Sequence, residues 1–290
     1  MMRSFGLSFG VLVAMGLGAC EDTAAGPGSD TVVSADTLVA ETSITVEATE
    51  PTVGTDTALA DDTVPLAETG ADSAVATADT ADTSEPSLPL AGFGAVSGAC
   101  GVIDTELADP GPSFFVGHID FGTDPYDDAD AALLTAGGRE IIADGNAGGS
   151  SIMSEVFAFE VLARCELATL VKTETEVVYD TQGKITDLLV EIDGAKVGVS
   201  VTRAVGFPFD APYTVEQAKT ILTKKLGDIQ ISTAHVSAGD RWVKQILHII
   251  AYADAHVTSI ETAWNALDSG LRGDTIILVT VSDGDDAFIY

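Results

Sequence analysis

The sequence predicts an α/β domain over residues 91–290, carried behind an acidic leader with no structure of its own. Three observations lead there. The 290 residues hold 13 Lys+Arg against 45 Asp+Glu, a formal net charge of −32, yet no Lys or Arg falls between Arg3 and Arg139. Residues 21–89 are built mostly from Ala, Thr, Asp, Ser, Val, Glu, Gly and Pro, without an aromatic side chain or a sustained apolar period. Beyond residue 150, segments with helical spacing of apolar residues alternate with β-branched runs, the pattern of helices packed on a sheet. A chain this acidic is a poor candidate for a naked nucleic-acid binder, because phosphate affinity comes mainly from clustered cations.

The leader opens on Met1, Met2 and Arg3, continues as an apolar run from Phe5 to Gly18, and ends in small residues before Cys20. That is the layout of a secretory signal peptide over residues 1–19, and the run is too short and glycine-rich for a membrane span. Leu17 to Cys20 resembles the bacterial lipobox. The resemblance implies that Cys20 becomes the acylated first residue and that the domain sits outside the cytoplasm in the bacterial cell envelope, with the membrane as a partner through the lipid anchor. The alternative is an ordinary signal peptide with Cys20 incidental. Lipidation of Cys20 would leave Cys100 and Cys165, which in an oxidising compartment form a disulfide or else remain two buried thiols.

Residues 20–90 then read as a linker. Ala-Asp-Thr recurs at Ala35–Thr37 and twice within Thr77–Thr83. Such a segment buries too little apolar surface to offset its conformational entropy, and its like charges extend it. As a flexible chain it would span at least about 45 Å, enough to hold a domain away from a membrane.

Residues 91–149 form an irregular first part of the domain, rich in Gly, Asp and Pro. Asp124 to Asp130 lacks the acidic ladder and turn glycine of a calcium loop and reads as a turn entering a short helix. Residues 150–290 are the core. Ile152, Val156, Phe159, Leu162 and Ala163 recur at helical spacing, and residues 168–179 alternate as a strand. The segments 184–192 and 195–203 flank Asp193 and Gly194, the signal for a two-residue hairpin. That turn sets a register of Ile192 against Ala195, Glu191 against Lys196, Leu189 against Gly198 and Asp187 against Ser200. One face then carries Leu188, Val190, Ile192, Val197, Val199 and Val201; the other is polar apart from Leu189, with Glu191 and Lys196 as a solvated cross-strand pair. Thr214 to Gln217 is a capping box and Gly227 a stop, bracketing a helix. Residues 245–252 read as a buried strand, with helix the alternative. A second box at Thr258 to Glu261 opens a helix toward Gly270, and strands follow at 274–282 and 287–290.

Helix, strand, hairpin, helix, strand is the core order of the PD-(D/E)XK nuclease-like superfamily, and residues 150–290 resemble it. The stretch from Lys184 to Gly194, the phrase Gly-Val-Ser-Val-Thr-Arg at Gly198–Arg203 and Lys224 to Leu226 also resemble an uncharacterised family of such domains. The resemblance implies a restriction-endonuclease-like α/β sandwich. It places Asp187 at the first acidic metal ligand and Glu155 at the helix glutamate. The Asp/Glu-x-Lys element falls on Ser200, Val201 and Thr202, which supply neither the second carboxylate nor the lysine of a magnesium site. Lys224, or its neighbour Lys225, stands on the next helix as a replacement lysine or as an exposed helix cation. Glu176, Ser200 and Thr202 would line a pocket, and Glu174 or Glu176 would approach Asp187 or face water.

Other chemistry is not supported. Gly198 to Thr202 is not a nucleophile elbow, since it lies inside a strand. His118, His235, His248 and His256 lack paired metal spacing and read as structural. The expectation is a binding or structural module without a cofactor, its partner an unidentified protein or small molecule. The alternative is a metal-dependent hydrolase of phosphodiester type using Mg or Mn through Glu155, Asp187 and Lys224.

Overall fold

The computed structural model describes residues 86–147, 151–209 and 211–290. The expected signal peptide, the acylation site at Cys20 and the acidic linker up to residue 85 lie outside the described residues. Among the described residues no helix is long and apolar enough to cross a membrane.

The fold is mixed α/β around one seven-stranded sheet. Its strands are β1 (Ala95–Gly98), β2 (Ser113–Asp120), β3 (Thr169–Thr173), β4 (Leu188–Ile192), β5 (Ala195–Ala204), β6 (Lys244–Ala251) and β7 (Ile276–Asp283). They lie in the order β1-β2-β7-β6-β5-β4-β3. The block β2, β7, β6 and β5 is parallel, flanked by antiparallel β1 at one edge and by β4 and β3 at the other. Helices α1 (Ala136–Asp144), α2 (Ile152–Cys165), α3 (Val215–His235), α4 (Asp254–Asn265) and α5 (Ser269–Arg272) complete the domain.

The two sheet faces have separate cores. On one, α2 packs over Leu188, Val190, Ile192, Val197, Val199, Val201, Ile246 and Ile250. Helix α2 is buried from Ser154 to Cys165, as a helix that is apolar nearly all round must be. On the other, Ala218, Leu222, Leu226 and Ile229 of α3 and Ile260, Ala263 and Trp264 of α4 cover Leu247, Ile249, Ile277 and Val279. Parallel strands covered on both sides need apolar residues at consecutive positions, and β6 is buried along its whole length.

The hairpin adopts the expected register from Ile192 opposite Ala195 to Leu188 opposite Val199. Asp193 at φ 50° and Gly194 at φ 76° supply the left-handed turn. Its apolar face is the one expected. Leu189 is no exception on an exposed surface, because Val177, Val236 and Trp242 pack over it. Lys196 does not close a cross-strand pair; its Nζ donates to the Gly239 carbonyl at 2.7 Å.

Several elements differ from the sequence expectation. Strands β1 and β2 and helix α1 arise within residues 91–149. In β2, Phe114 and Phe115 serve opposite cores, and Gly117 and His118 interrupt the apolar run, which hides the strand. β3 stops at Thr173, and Glu174 to Glu176 form a turn. Helix α3 starts at the expected box, with Thr214 accepting from Gln217 N, but runs through Gly227 to His235 because its buried stripe continues to Ile229 and Ser232. Helix α4 begins at Asp254, so Thr258 lies inside it, and its carbonyl accepts from Thr262 Oγ1 at 2.7 Å. The expected last strand is a 3-10 turn at Ala287–Ile289.

The end of α2 holds the first residues of the domain. Cys165 is disulfide-bonded to Cys100, which settles the cysteine alternative in favour of the bridge. Glu166 accepts from the backbone N–H groups of Gly101, Val102 and Ile103 at 2.9–3.3 Å. Arg164 donates to the carbonyls of Leu90, Phe93 and Gly94 at 2.7–2.9 Å.

Candidate functional site

The candidate site forms where the chain enters β4. Thr186 and Asp187 precede the strand yet prolong its ladder: Asp187 N donates to Val199 O at 3.0 Å, and Thr186 Oγ1 donates to the same carbonyl at 2.9 Å. Tyr179 accepts at its hydroxyl from Thr186 N at 2.7 Å. The Asp187 side chain turns along the sheet, and its Oδ2 accepts from Val201 N at 2.6 Å. Lys225 reaches in from α3. Its Nζ donates to Val201 O at 2.6 Å and lies 3.9 Å from Asp187 Oδ2. Val201 of β5 is thus gripped on both sides, its N–H by a carboxylate and its carbonyl by an ammonium.

Glu155 approaches from the first turn of α2. It is 4% exposed, and its Oε1 accepts from Asn146 Nδ2 at 2.6 Å and from Ser151 Oγ at 3.0 Å. Burial and the charge of Asp187 push its carboxyl up to about 7, against the lowering effect of those two hydrogen bonds. Burial also raises Asp187, opposed by Lys225 and by the Val201 N–H. Glu174 adds a third negative charge acting on both groups. The arrangement holds a carboxyl poised to gain or lose a proton near neutrality beside a fixed ion pair.

Asp187 and Glu155 therefore lie close enough for the charge of one to act on the other. The expected lysine does not join them. Lys224 turns outward, 62% exposed at its side chain, to pair with Asp228 at 2.9 Å, which also meets Lys184 at 3.3 Å. Lys225 takes its place. The signal was in the spacing: Ala218, Leu222, Lys225 and Ile229 follow one helical stripe, which Lys224 leaves. Glu176 is also elsewhere. Its Oε2 accepts from Thr173 N at 3.0 Å, and its carboxylate lies with those of Glu140 and Asp144 in an exposed group whose oxygens fall within 4.8 Å of one another. Thr202 lines an open cleft of about 340 Å³ with Arg203, Phe207, Phe209 and Tyr290. Ser200, in register with Leu247, is buried instead.

Asn146, Ser151 and Tyr179, which the sequence did not single out, complete the site. They stand on loops and a turn whose approach to α2 and β4 depends on tertiary packing. The histidines take structural positions at two points: His248 Nε2 meets Thr280 Oγ1 at 2.8 Å, and His256 Nδ1 meets Ala204 O at 2.9 Å. His248 is fully enclosed, and burial lowers it to about 3.

The residues do not fit a resident magnesium or manganese ion. A hard cation between β4 and β5 needs carboxylate and carbonyl oxygens. Here Asp187 Oδ2 and Val201 O are engaged by the Lys225 ammonium and the Val201 N–H. Ser200 and Thr202 supply neither a carboxylate nor an ammonium there.

No family model matches the chain. Over 153 residues, 51% of its length, it is 39% identical to the AAC-rich mRNA clone AAC4 protein of Dictyostelium discoideum, and it spans 22% of that protein. The solved structure of Pyrococcus furiosus SfsA in complex with Ca2+ aligns with 46% of this chain and 56% of its own, at 12% identity and a TM-score of 0.24. Neither likeness assigns a family or an activity.

Proposed function

We propose that this is a catalytically silent domain of nuclease-like, restriction-endonuclease-like architecture, acting as a binding or structural module at the cell envelope and held there by a lipid on Cys20. The observation that carries the silence is Lys225: its ammonium donates to Val201 O at 2.6 Å and lies 3.9 Å from Asp187 Oδ2. A built-in cation on those oxygens neutralises Asp187 and leaves no carboxylate pair free for a divalent ion. The order α2, β3, β4, β5, α3, β6 and the position of Asp187 at the start of β4 support the architectural part of the reading. The export layout of residues 1–20 and the Cys100–Cys165 bridge, suited to an oxidising compartment, support the location.

One observation favours a second reading. A carboxyl at about 7 beside a second acid is suited to general acid or base work. On that reading the domain is a metal-dependent phosphodiester hydrolase, and Lys225 would have to yield Asp187 to the ion.

The test is turnover of bis(p-nitrophenyl) phosphate by the full chain with Mg2+ or Mn2+. The expected result is no hydrolysis distinguishable from Asp187→Asn. Metal-dependent hydrolysis by the native chain that Asp187→Asn abolishes would overturn the silent reading and establish the second.

A further inference from the structure

Strand β5 ends in an arginine that the fold holds in place but does not use up. Alternation puts Arg203 on the face of Val199 and Val201, and it is half-buried there. Its Nη1 donates to the carbonyls of Ile289 at 3.0 Å and Tyr290 at 3.2 Å, two bonds that fix the plane of the guanidinium. Among the described residues its Nε and Nη2 make no hydrogen bond, and no carboxylate side chain pairs with it. Both nitrogens remain accessible, unlike the enclosed unpaired atoms of Gln245. They form one edge of the guanidinium, the edge that gives two parallel hydrogen bonds to a carboxylate.

The cleft of about 340 Å³ that Arg203 lines has aromatic walls in Phe207, Phe209 and Tyr290, and Phe207 is 90% exposed. The Phe209 and Tyr290 rings lie 6.0 Å apart edge to face, and Tyr252 backs Tyr290 at 5.3 Å. Tyr290 is anchored at its far end: its hydroxyl lies 2.7 Å from Ser282 Oγ, which donates to Asp286 Oδ2 at 2.6 Å. Its ring is thus held as a wall, and the Asp286 carboxylate is buried and engaged. Thr202, Val205 and Gly206 complete the lining, so Arg203 is the one charged side chain lining the cleft among the described residues. An adjoining cleft of about 450 Å³ shares Arg203 and Val205 but carries Glu216, which opposes an anion there.

We infer that the cleft at the end of β5 binds a small aromatic carboxylate, its carboxylate on Nε and Nη2 of Arg203 and its ring against Phe209 and Tyr290. The inference goes beyond the reading of the Asp187 site and survives its failure, since the two sites share no residue. The place suits a ligand: β5 runs parallel to β6, and open α/β sheets bind small molecules outside the carboxyl ends of such strands. The chemistry follows from the two parts of the lining. A fork of two coplanar N–H groups matches a flat acid, and aromatic walls favour a ring over an aliphatic chain or a tetrahedral phosphate. The acidity of the chain as a whole weighs little on this contact, because charges more than about 10 Å away are screened at ordinary salt.

The probe is benzoate, added to the full chain at about 0.15 M salt and followed by ligand-observed saturation-transfer NMR. A ligand this small should saturate with a dissociation constant of about 1 mM. Benzamide, which keeps the ring and loses the charge, and acetate, which keeps the charge and loses the ring, should each bind at least about tenfold more weakly. Arg203→Gln should abolish saturable transfer. Phe209→Ala leaves the guanidinium and its two carbonyl bonds in place and should weaken benzoate at least about tenfold; it carries the test if Arg203→Gln fails to fold. Absence of saturable benzoate binding, equal binding of benzamide, displacement by an equal concentration of inorganic phosphate, or undiminished binding in a folded Arg203→Gln or Phe209→Ala variant would overturn the proposal.

Discussion

The two ends of α2 each carry buried charge, and they treat it in opposite ways. At the C-terminal end, Glu166 receives three backbone N–H groups and Arg164 is spent on three carbonyls, next to the Cys100–Cys165 bridge. At the N-terminal end, Glu155 faces Asp187 and Glu174, and burial and like charge lift it to about 7. Saturating a buried ion with fixed partners makes it a structural clamp. Leaving one short of partners, near another of the same sign, stores a proton-dependent cost that a protein keeps only where the group is used or where a local cation compensates. Lys225 is that compensation for Asp187, and Glu155 has none from a cation.

The largest effect should come from the clamped end. Removing the bridge with Cys100→Ser and Cys165→Ser releases a loop of 65 residues, which should cost about 4 kcal/mol by loop-closure entropy. Urea unfolding of the double variant against the oxidised protein measures it. A loss under about 1 kcal/mol would mean that Arg164 and Glu166 hold the segment without the bridge.

Next comes the proton at the other end. The ordinary carboxyl value of Glu155 is 4.5 and its folded value is about 7. Between these limits the unfolded chain has lost a proton that the folded protein keeps, so stability falls as pH rises through the interval and levels off above it. Burial raises Asp187 in the same direction. Glu155→Gln keeps an acceptor for Asn146 and removes the charge. At pH 8 it should be more stable than the native chain by up to about 3 kcal/mol, with the gain vanishing near pH 4. Denaturation midpoints across that range decide the matter; a variant without a pH-dependent advantage would show that Glu155 is not strained.

A smaller effect separates the two lysines. Asp187→Ala strands the Lys225 ammonium, one quarter exposed at its side chain, and should cost about 2 kcal/mol. Adding Lys225→Met should recover most of that, a coupling that a double-mutant cycle reads directly. Lys224→Ala should cost only about 0.5 kcal/mol, since its pair with Asp228 is exposed on the lysine side. Equal costs at the two positions would break the distinction.

The sequence made the hairpin legible because Asp193 and Gly194 fix a turn and a turn fixes a register. That register in turn puts Val199 and Val201 on the apolar face and Asp187 beside β5. Strand β2 was hidden because parallel strands between two cores do not alternate, and Gly117 and His118 interrupt what apolar run there is. At the site, Asp187 and Glu155 were expected from the resemblance to the nuclease-like superfamily. Lys224 and Lys225 were alternatives, and the stripe through Ala218 and Leu222 favours the latter. Glu176 was misplaced because β3 ends at Thr173, so the alternation read through residue 179 no longer sets which acid points inward.

The central claim is that Lys225 stands where a catalytic cation would bind. Calorimetric titration of the full chain with Mn2+ tests it, taking the difference between the native protein and Asp187→Ala so that binding to the acidic leader cancels. The account predicts no difference up to about 1 mM metal. Tight binding in the native chain that Asp187→Ala removes would contradict it.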